Sequence, residues 1–472
     1  MDPIISAAKE AEQIQAIVES LSAQRNSGTL KTYKGVQKEF FSWCEDRYEN
    51  EMSSLIVTES KLLLFLQERV VGRESRKRRR GCDSHVIGVK SILNAVSAIV
   101  NLWKRQSFLN MNANPNHRGC LVKEYIKSLS SQENRRKRAN YHDRGIGTFA
   151  DGYLNLEELS MICNEFFKSG YTVGIRDRCA FLLAHYAMIR CENIRNLEFA
   201  DLLCVNLPNE GPDCCTALML MMLQGKVNQI GRRKYAAMIR AKDVAVCGIG
   251  SLALYFFFRF HHSNESFPSL QTSSDWFEVK VIRGGNQQTD PLSATQHRNG
   301  IKEVYKRLNL NYKAISHVTR GSSARMAEFS GADDNQIRRQ GRWNNQAMEN
   351  CYLTTIPREA VRGLAGFDPK RPCFSLLRGS VMPSDRLLSL VFPWIDEWIA
   401  KRDAGVLELT ICVDSFLKTM KILRAVFLQD AVCLKEQFPD LFIWDNALFT
   451  TAEFTDFEKQ LKRCMAECSR PE

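Results

Sequence analysis

The sequence contains no apolar run near the roughly 18 residues that a helical membrane span requires. Stretches such as Ala217–Leu223 and Leu252–Phe258 stop far short of it. No C-x-x-C pair occurs among the 16 cysteines, which argues against a structural zinc site. The opening stretch MDPIISAAKEAEQIQ carries acids where a secretory signal would have a basic start and an apolar core. The cysteines are therefore expected as reduced thiols of a cytosolic or nuclear protein. No G-x-x-x-x-G-K-[ST] loop is present, so nucleotide-driven chemistry is not expected. His261 and His262 are adjacent and would point apart on a helix, and Cys464 and Cys468 lack further partners, so no metal site is expected. There are no internal repeats and no low-complexity tract.

What remains is an ordinary globular composition, 44% hydrophobic and 25% charged, over 472 residues. That length suits two or three domains of roughly 150 residues each. The net charge of +12 is unevenly placed. Residues 1–70 hold 8 basic and 11 acidic groups, residues 71–144 hold 17 and 5, and residues 145–472 hold 40 and 37. One short segment thus carries a charge equal to the whole excess. Such a patch attracts polyanions by releasing their condensed counterions. A nuclear import signal has the same composition, and the charge alone does not separate the two.

The periodicity is mainly helical. Val89, Ile92, Leu93, Val96, Ile99, Val100 and Trp103 recur at spacings of three and four and form one apolar stripe. Tyr33, Val36, Phe40, Phe41 and Trp43 belong to an earlier helix with Ser27 or Thr29 as N-cap, and Thr58 or Ser60 suits the start of a helix over Lys61–Arg69. Two basic clusters interrupt this region: Arg76-Lys77-Arg78-Arg79-Arg80 and Arg135-Arg136-Lys137-Arg138. The second lies in SSQENRRKRANYHDRG, which has no apolar periodicity and reads as an interdomain linker.

Further on, Leu154–Phe167, Arg176–Met188, Leu252–Phe260, Ile301–Leu308, Ser322–Phe329, Asp334–Arg339 and Asn345–Tyr352 read as helices. Ala217–Leu223 and Lys234–Arg240 flank a turn with Gly225 and Gly231, a hairpin pattern. After Pro369, Pro372 and Pro383, amphipathic helices are expected over Leu387–Ile399, with a break or kink at Pro393, and over Phe416–Leu434. The organisation expected is a helical domain over 1–130, a basic linker over 131–152, a domain over 153–366 with helices and a small sheet, and a helical C-terminal extension over 367–472.

Chemistry concentrates in the third quarter of the chain. His317 and Arg320 are three apart, so at a helix start they project to one side. Trp343 and Tyr352 follow, nine residues apart. Upstream, Arg190 stands at a helix end in AHYAMIRCENIRNLEFADL, and Lys226 at the hairpin tip in LQGKVNQIG.

These residues resemble the pattern of the tyrosine recombinases, and of the Crypton type found in fungal mobile elements in particular. That type shares its fold with a fungal centromere-binding kinetochore protein. The family's first box, roughly G-L-R-x-x-E-x-x-x-L-x-x-x-D, is matched by Met188-Ile189-Arg190-Cys191-Glu192-Asn193 with Leu197 and Asp201. Gly225-Lys226 matches the family's lysine after a glycine at a β-turn. His317 and Arg320 match H-x-x-R. Trp343 matches the Gly-His/Trp position, although Arg342 intervenes after Gly341. Tyr352 stands nine residues beyond, where the family tyrosine commonly lies. Gly321 also departs, replacing a histidine frequent in bacterial relatives. The resemblance covers about 25–366 and is strongest over 176–366.

The resemblance implies a helical core-binding domain and a catalytic domain that grip duplex DNA as a clamp, and a set of roles. Tyr352 is the nucleophile, and Arg190 and Arg320 clamp the phosphate. His317 is the acid/base, Lys226 the general acid, and Trp343 a phosphate ligand that also packs the site. Arg232 and Lys234 compete with Lys226 for its role. The physics agrees with such a set. A phenol with a pKa of about 10 needs nearby cations or a base to attack phosphorus. Guanidiniums stay charged and fork onto phosphate oxygens. A lysine can protonate the departing 5′ oxygen. The phosphotyrosine ester conserves the bond energy, so no cofactor is implied. The implied partners are double-stranded DNA and further copies of the chain, a dimer or tetramer on DNA, with no membrane and no nucleotide, in the nucleus. The basic clusters Arg76–Arg80 and Arg135–Arg138 would contact phosphates. A protein of the same fold that binds DNA without cutting it is the other reading. Such a protein tends to lose the tyrosine, the lysine or an arginine, and here all are present.

Overall fold

The computed structural model describes residues 13–17, 19–20, 27–49, 54–74, 86–116, 118–139, 151–169, 171–222, 234–312, 315–343 and 356–468. The chain divides into two compact units, residues 1–149 and residues 150–472.

The first unit is helical: α1 (Ser27–Arg47), α2 (Glu59–Phe65) running into a wider turn at Leu66–Val70, α3 (Val89–Phe108) and α4 (Cys120–Ala139). The apolar stripe of α3 is the core face, with Ile92, Val96, Ile99 and Leu102 buried against Phe40, Trp43, Leu62 and Phe65. Thr58 caps α2, its hydroxyl accepting from the Lys61 amide at 3.2 Å. The expected linker is corrected in its first half. Residues 131–139, which include Arg135, Arg136 and Arg138, continue helix α4. Glu, Gln, Lys and Arg are good helix formers, so no apolar stripe is needed to extend a helix already anchored by Leu129. The Glu133 carboxylate also accepts from the Val89 amide at 2.5 Å, placing a negative charge at the α3 N-terminus. Arg76–Arg80 lie outside the described residues, and the side chain of Lys137 is likewise not described.

The second unit opens with α5 (Leu156–Phe167), α6 (Tyr171–Tyr186) and the short α7 (Cys191–Asn196). A three-stranded antiparallel sheet follows in the order β1 (Leu202–Leu207), β2 (Cys215–Met222), β3 (Lys234–Met238). The β2–β3 pair is the expected hairpin, with Met222 opposite Lys234 and Leu218 opposite Met238. Strand β1 has no clear signal in the sequence, because LLCVNL lacks the strict alternation that marks a strand. Then come α8 (Gly248–Phe257), α9 (Ala294–Arg307), α10 (Val318–Phe329), α11 (Asp334–Gly341) and α12 (Arg358–Leu364). The chain continues through α13 (Asp385–Leu390), α14 (Trp394–Asp403), α15 (Ile411–Gln437) and α16 (Ala452–Cys468). The break between α13 and α14 falls at Phe392-Pro393, where Phe392 adopts φ 52°. The helix expected over Asn345–Tyr352 lies outside the described residues.

Residues 367–472 do not form a separate extension. Helix α15 packs against α8 and β1, and Phe427 stacks on Phe257 with ring centroids 4.2 Å apart. Its side chains belong to the same core as those of α6 and the sheet. Amphipathicity announces these helices, but which apolar surface they cover is set by distant contacts. Among the described residues no helix is long and apolar enough to cross a membrane.

Candidate anion site

The site is built where three backbone segments of the second unit meet. Helix α6 ends at Tyr186, and the chain bends at Met188, which adopts φ 47°. The Met188 and Ile189 amides bond back to the carbonyls of His185 (3.1 Å) and Ala184 (3.3 Å), closing the helix end. Arg190 comes next, at the N-cap of α7 rather than at the end of the preceding helix. Its carbonyl accepts from the Asn193 amide at 2.9 Å. The Cys191 thiol donates to the Ser316 carbonyl at 3.2 Å. Burial raises that thiol to about 11, so it stays protonated as a donor.

Ser316 leads directly into His317, the N-cap of α10, which is exposed. One turn on, Arg320 is half-buried. Its Nη2 donates to the Gly341 carbonyl, and its guanidinium carbon lies 4.8 Å from the centroid of the Trp343 ring. The Arg320 Nε is buried with no partner among the described residues. One turn beyond Arg320, α10 is locked to the core through Ser323. His185, fully buried on α6, bonds through Nδ1 to the hydroxyls of Tyr153 (2.8 Å) and Ser323 (2.9 Å). Burial pulls the His185 pKa down to about 3, so the ring is neutral there.

Helix α11 stops at Gly341 because Arg342 turns left-handed, φ 54° and ψ 42°. A side chain at Gly341 would meet the Trp343 ring at 2.4 Å, so only glycine lets that ring lie beside Arg320. The buried Gln340 amide donates to the carbonyls of Tyr186 (2.8 Å) and Ala237 (2.7 Å). The Arg342 Nη2 donates to Ala187 (2.8 Å) and Met188 (3.0 Å), and its Nη1 to Tyr235 (3.4 Å). The end of α6, the start of β3 and the end of α11 are thereby joined.

Three guanidiniums converge at this joint. Burial first, then Arg190, pulls Arg320 down to about 10. Burial, then Arg320 and Arg190, pulls Arg342 down to about 9. Arg320 and Arg342 therefore remain charged at neutral pH. None of the three forms an ion pair among the described residues, whereas Arg259 pairs with Glu265 and Arg378 with Asp430; the buried Arg178 is held instead by the Ser251 hydroxyl and the Ala245 carbonyl. Like charges gathered without a counter-ion disfavour one another, and an oxyanion would relieve that repulsion while taking forked hydrogen bonds.

Of the residues singled out from the sequence, Arg190, Arg320 and Trp343 come together here, and His317 shares the first turn of α10 with Arg320. Lys226 and Tyr352 lie outside the described residues, as does Arg232; Lys234 opens β3. Sequence reasoning missed Gln340, His185 with Tyr153 and Ser323, and the part played by Arg342. Arg342 had one visible signal, its insertion between Gly341 and Trp343. The others bond mostly to backbone or across long separations, which no local pattern reveals.

The glycine behind α10 gives a first prediction. Gly152 has φ +109°, and a Cβ there would sit 2.4 Å from Ser322 Oγ and 2.9 Å from Arg325 Nη2. Gly152→Ala is therefore expected to destabilise the second unit by about 1–3 kcal/mol. Chemical denaturation checks it, and an unchanged midpoint would show that α10 has room to move.

Fold and site define the class first: a mainly helical protein with a small antiparallel sheet that holds a cluster of arginines lacking acidic partners among the described residues. A profile of the family described as "Centromere DNA-binding protein complex CBF3 subunit, domain 2" matches residues 106–455. The match covers most of the chain, and the chain belongs to that family. No curated protein shows significant sequence similarity to it. Among solved structures it is similar to Ndc10, described as a platform for inner kinetochore assembly in budding yeast. Identity there is 12%, with 97% of this chain and 98% of that one covered at a TM-score of 0.40. A Flpe–Holliday junction complex shows 12% identity over 86% of this chain and 98% of that one, TM-score 0.39. The XerH site-specific recombinase bound to a palindromic difH substrate shows 14% identity over 73% and 84%, TM-score 0.37. Likenesses at this level leave the function to the residues of the chain itself.

Proposed function

We propose that this protein binds duplex DNA and holds one backbone phosphate at Arg190 and Arg320, as a tyrosine recombinase of Crypton type. The observation that carries the reading is the convergence of arginines that form no ion pair with a carboxylate among the described residues. The phenolate oxygen of Tyr352 attacks the phosphorus, and the bond from phosphorus to the 5′ oxygen breaks. Lys226 supplies the proton that the departing oxygen takes up. The two arginines neutralise the non-bridging oxygens as charge shifts onto them. His317 takes the tyrosine proton or holds the phosphate, and the Trp343 indole donates one hydrogen bond and packs the site. The reverse attack by a 5′ hydroxyl rejoins the strand, and exchange between strands needs several protomers at one synapse. Residues 1–130 and the basic stretch near Arg135–Arg138 hold the duplex, and the protein acts in the nucleus, on a mobile element's DNA.

The decisive experiment uses a nicked suicide duplex, from which the released end diffuses away and leaves the covalent complex trapped. The expected result is an adduct whose modified residue maps to Tyr352. Membership of a family described by centromere DNA binding favours a second reading, a DNA-docking protein that does not cut. That reading predicts duplex binding with no adduct under the same conditions.

Arg135 and Arg138 are exposed on the last turns of α4. Replacing Arg135, Arg136 and Arg138 by glutamine is expected to weaken duplex binding at every sequence. It should also flatten the plot of log K against log salt, by about one for each phosphate that the protein no longer neutralises. An unchanged slope would show that this helix end does not touch the duplex.

A further inference from the structure

Arg342 is an unexpected residue in its position. It interrupts the Gly-Trp pair, and it is an arginine in a left-handed conformation that non-glycine residues adopt uncommonly. Its guanidinium serves three carbonyls on two separate segments. Nη2 bridges Ala187 and Met188, and Nη1 reaches Tyr235. The first two carbonyls belong to the closing turn of α6, where a cation also meets the negative end of the helix dipole. Arg190 lies two residues beyond Met188. Tyr235 is the second residue of β3, the strand that follows the segment containing Lys226 in the sequence. Trp343 is the next residue after Arg342 itself. One side chain thus connects the segments that lead to three of the residues assigned to the phosphate site.

A neutral amide could satisfy one or two of these carbonyls without placing a third cation beside Arg190 and Arg320. The chain instead keeps a group whose charge is disfavoured by both neighbours. That arrangement suits a site whose charge is balanced only when an anion arrives, because each cation then gains an attraction that outweighs the mutual repulsion. It also needs a rigid fork, since a single ammonium cannot span two backbone segments with fixed geometry.

We propose that Arg342 is a positioning residue that sets the Arg190 bend for phosphate capture. It acts on Arg190 through the Ala187 and Met188 carbonyls, while Arg320 is held separately by the Gly341 carbonyl. The inference rests on the phosphate-site reading above, and its test separates the two.

The test is arginine-selective modification by phenylglyoxal of the full-length protein, with each modified arginine quantified by mass spectrometry, with and without a mixed-sequence DNA duplex. In the wild-type protein the duplex is expected to protect both Arg190 and Arg320. In Arg342→Lys, which keeps the charge but not the fork, protection of Arg190 should be lost while that of Arg320 persists. Arg342→Gln should behave the same way, and thermal unfolding of both variants should remain cooperative. No protection of either arginine in the wild type overturns the phosphate-site reading itself. Full protection of Arg190 in both variants overturns the role of Arg342 alone. Loss of protection at both arginines together with loss of cooperative unfolding assigns Arg342 to the stability of the fold and overturns its positioning role.

Discussion

Tyr352→Phe is expected to abolish the covalent adduct on a nicked duplex while leaving affinity for that duplex nearly unchanged, and Arg320→Ala to lower both. The contrast follows from what each group supplies. In the proposed reaction the phenol oxygen forms the new bond to phosphorus, so its removal would leave no nucleophile, yet one hydroxyl adds little to binding that is dominated by charge. In the same proposal Arg320 faces the phosphate before and during the reaction. Loss of one such donor at a developing charge typically costs about 10²–10³-fold in rate. Arg320→Lys should recover charge but only part of the rate, because an ammonium cannot bond the Gly341 carbonyl, lie against the Trp343 ring and fork onto an oxyanion together. Single-turnover trapping measures the rates, and a parallel binding titration measures affinity. If Tyr352→Phe still forms the adduct, the nucleophile is another residue. If Arg320→Ala cuts at the wild-type rate, the arginine cluster is not the phosphate site.

Asp430→Asn is expected to destabilise the second unit by about 3–5 kcal/mol, because it would strand the buried Arg378 and the half-buried Arg240. Asp430 lies on α15, 1% exposed. Its Oδ1 accepts from Arg378 Nε at 2.7 Å and from Arg240 Nη2. Arg378 in turn donates to the carbonyls of Ala241 (2.6 Å) and Lys242 (2.7 Å). The one carboxylate therefore joins the segment after β3 to α15. Burial by itself would raise the Asp430 pKa, but Arg240 and Arg378 outweigh it and hold the group below the ordinary carboxylate value. A depressed pKa in the folded state means that this stabilisation is present above the unfolded value of about 3.9. It is lost as pH falls through the lower folded value. Urea titrations across that acid range should show the wild type losing its advantage over Asp430→Asn as pH drops. A constant difference between the two would mean that the carboxylate is not what holds the arginines.

Much of the fold is legible in the sequence where local signals are strong. The α3 stripe, the Thr58 cap, the β2–β3 hairpin and the break at Pro393 each depend on neighbours within a few residues. The helix through Arg135–Arg138 reads as linker because its residues carry helix propensity without amphipathicity. Strand β1 escapes detection because its burial comes from α15, more than 200 residues later in the chain. The same packing explains why residues 367–472, which read as an appendage, share the core of the second unit.

The order of Arg190, His317, Arg320 and Trp343 along the chain was enough to single out the residues and the chemistry they could perform, because residue type and helical spacing are local properties. The primary structure likewise determined where the excess positive charge lies. Only the tertiary structure brought Arg190 and Arg320 into electrostatic contact, laid the Trp343 ring beside the second of them, and made Arg342 the link between α6 and β3. Those relations depend on side chains reaching backbone carbonyls far away in the chain, and the free energy of such contacts comes from burial and geometry that no short stretch of sequence contains.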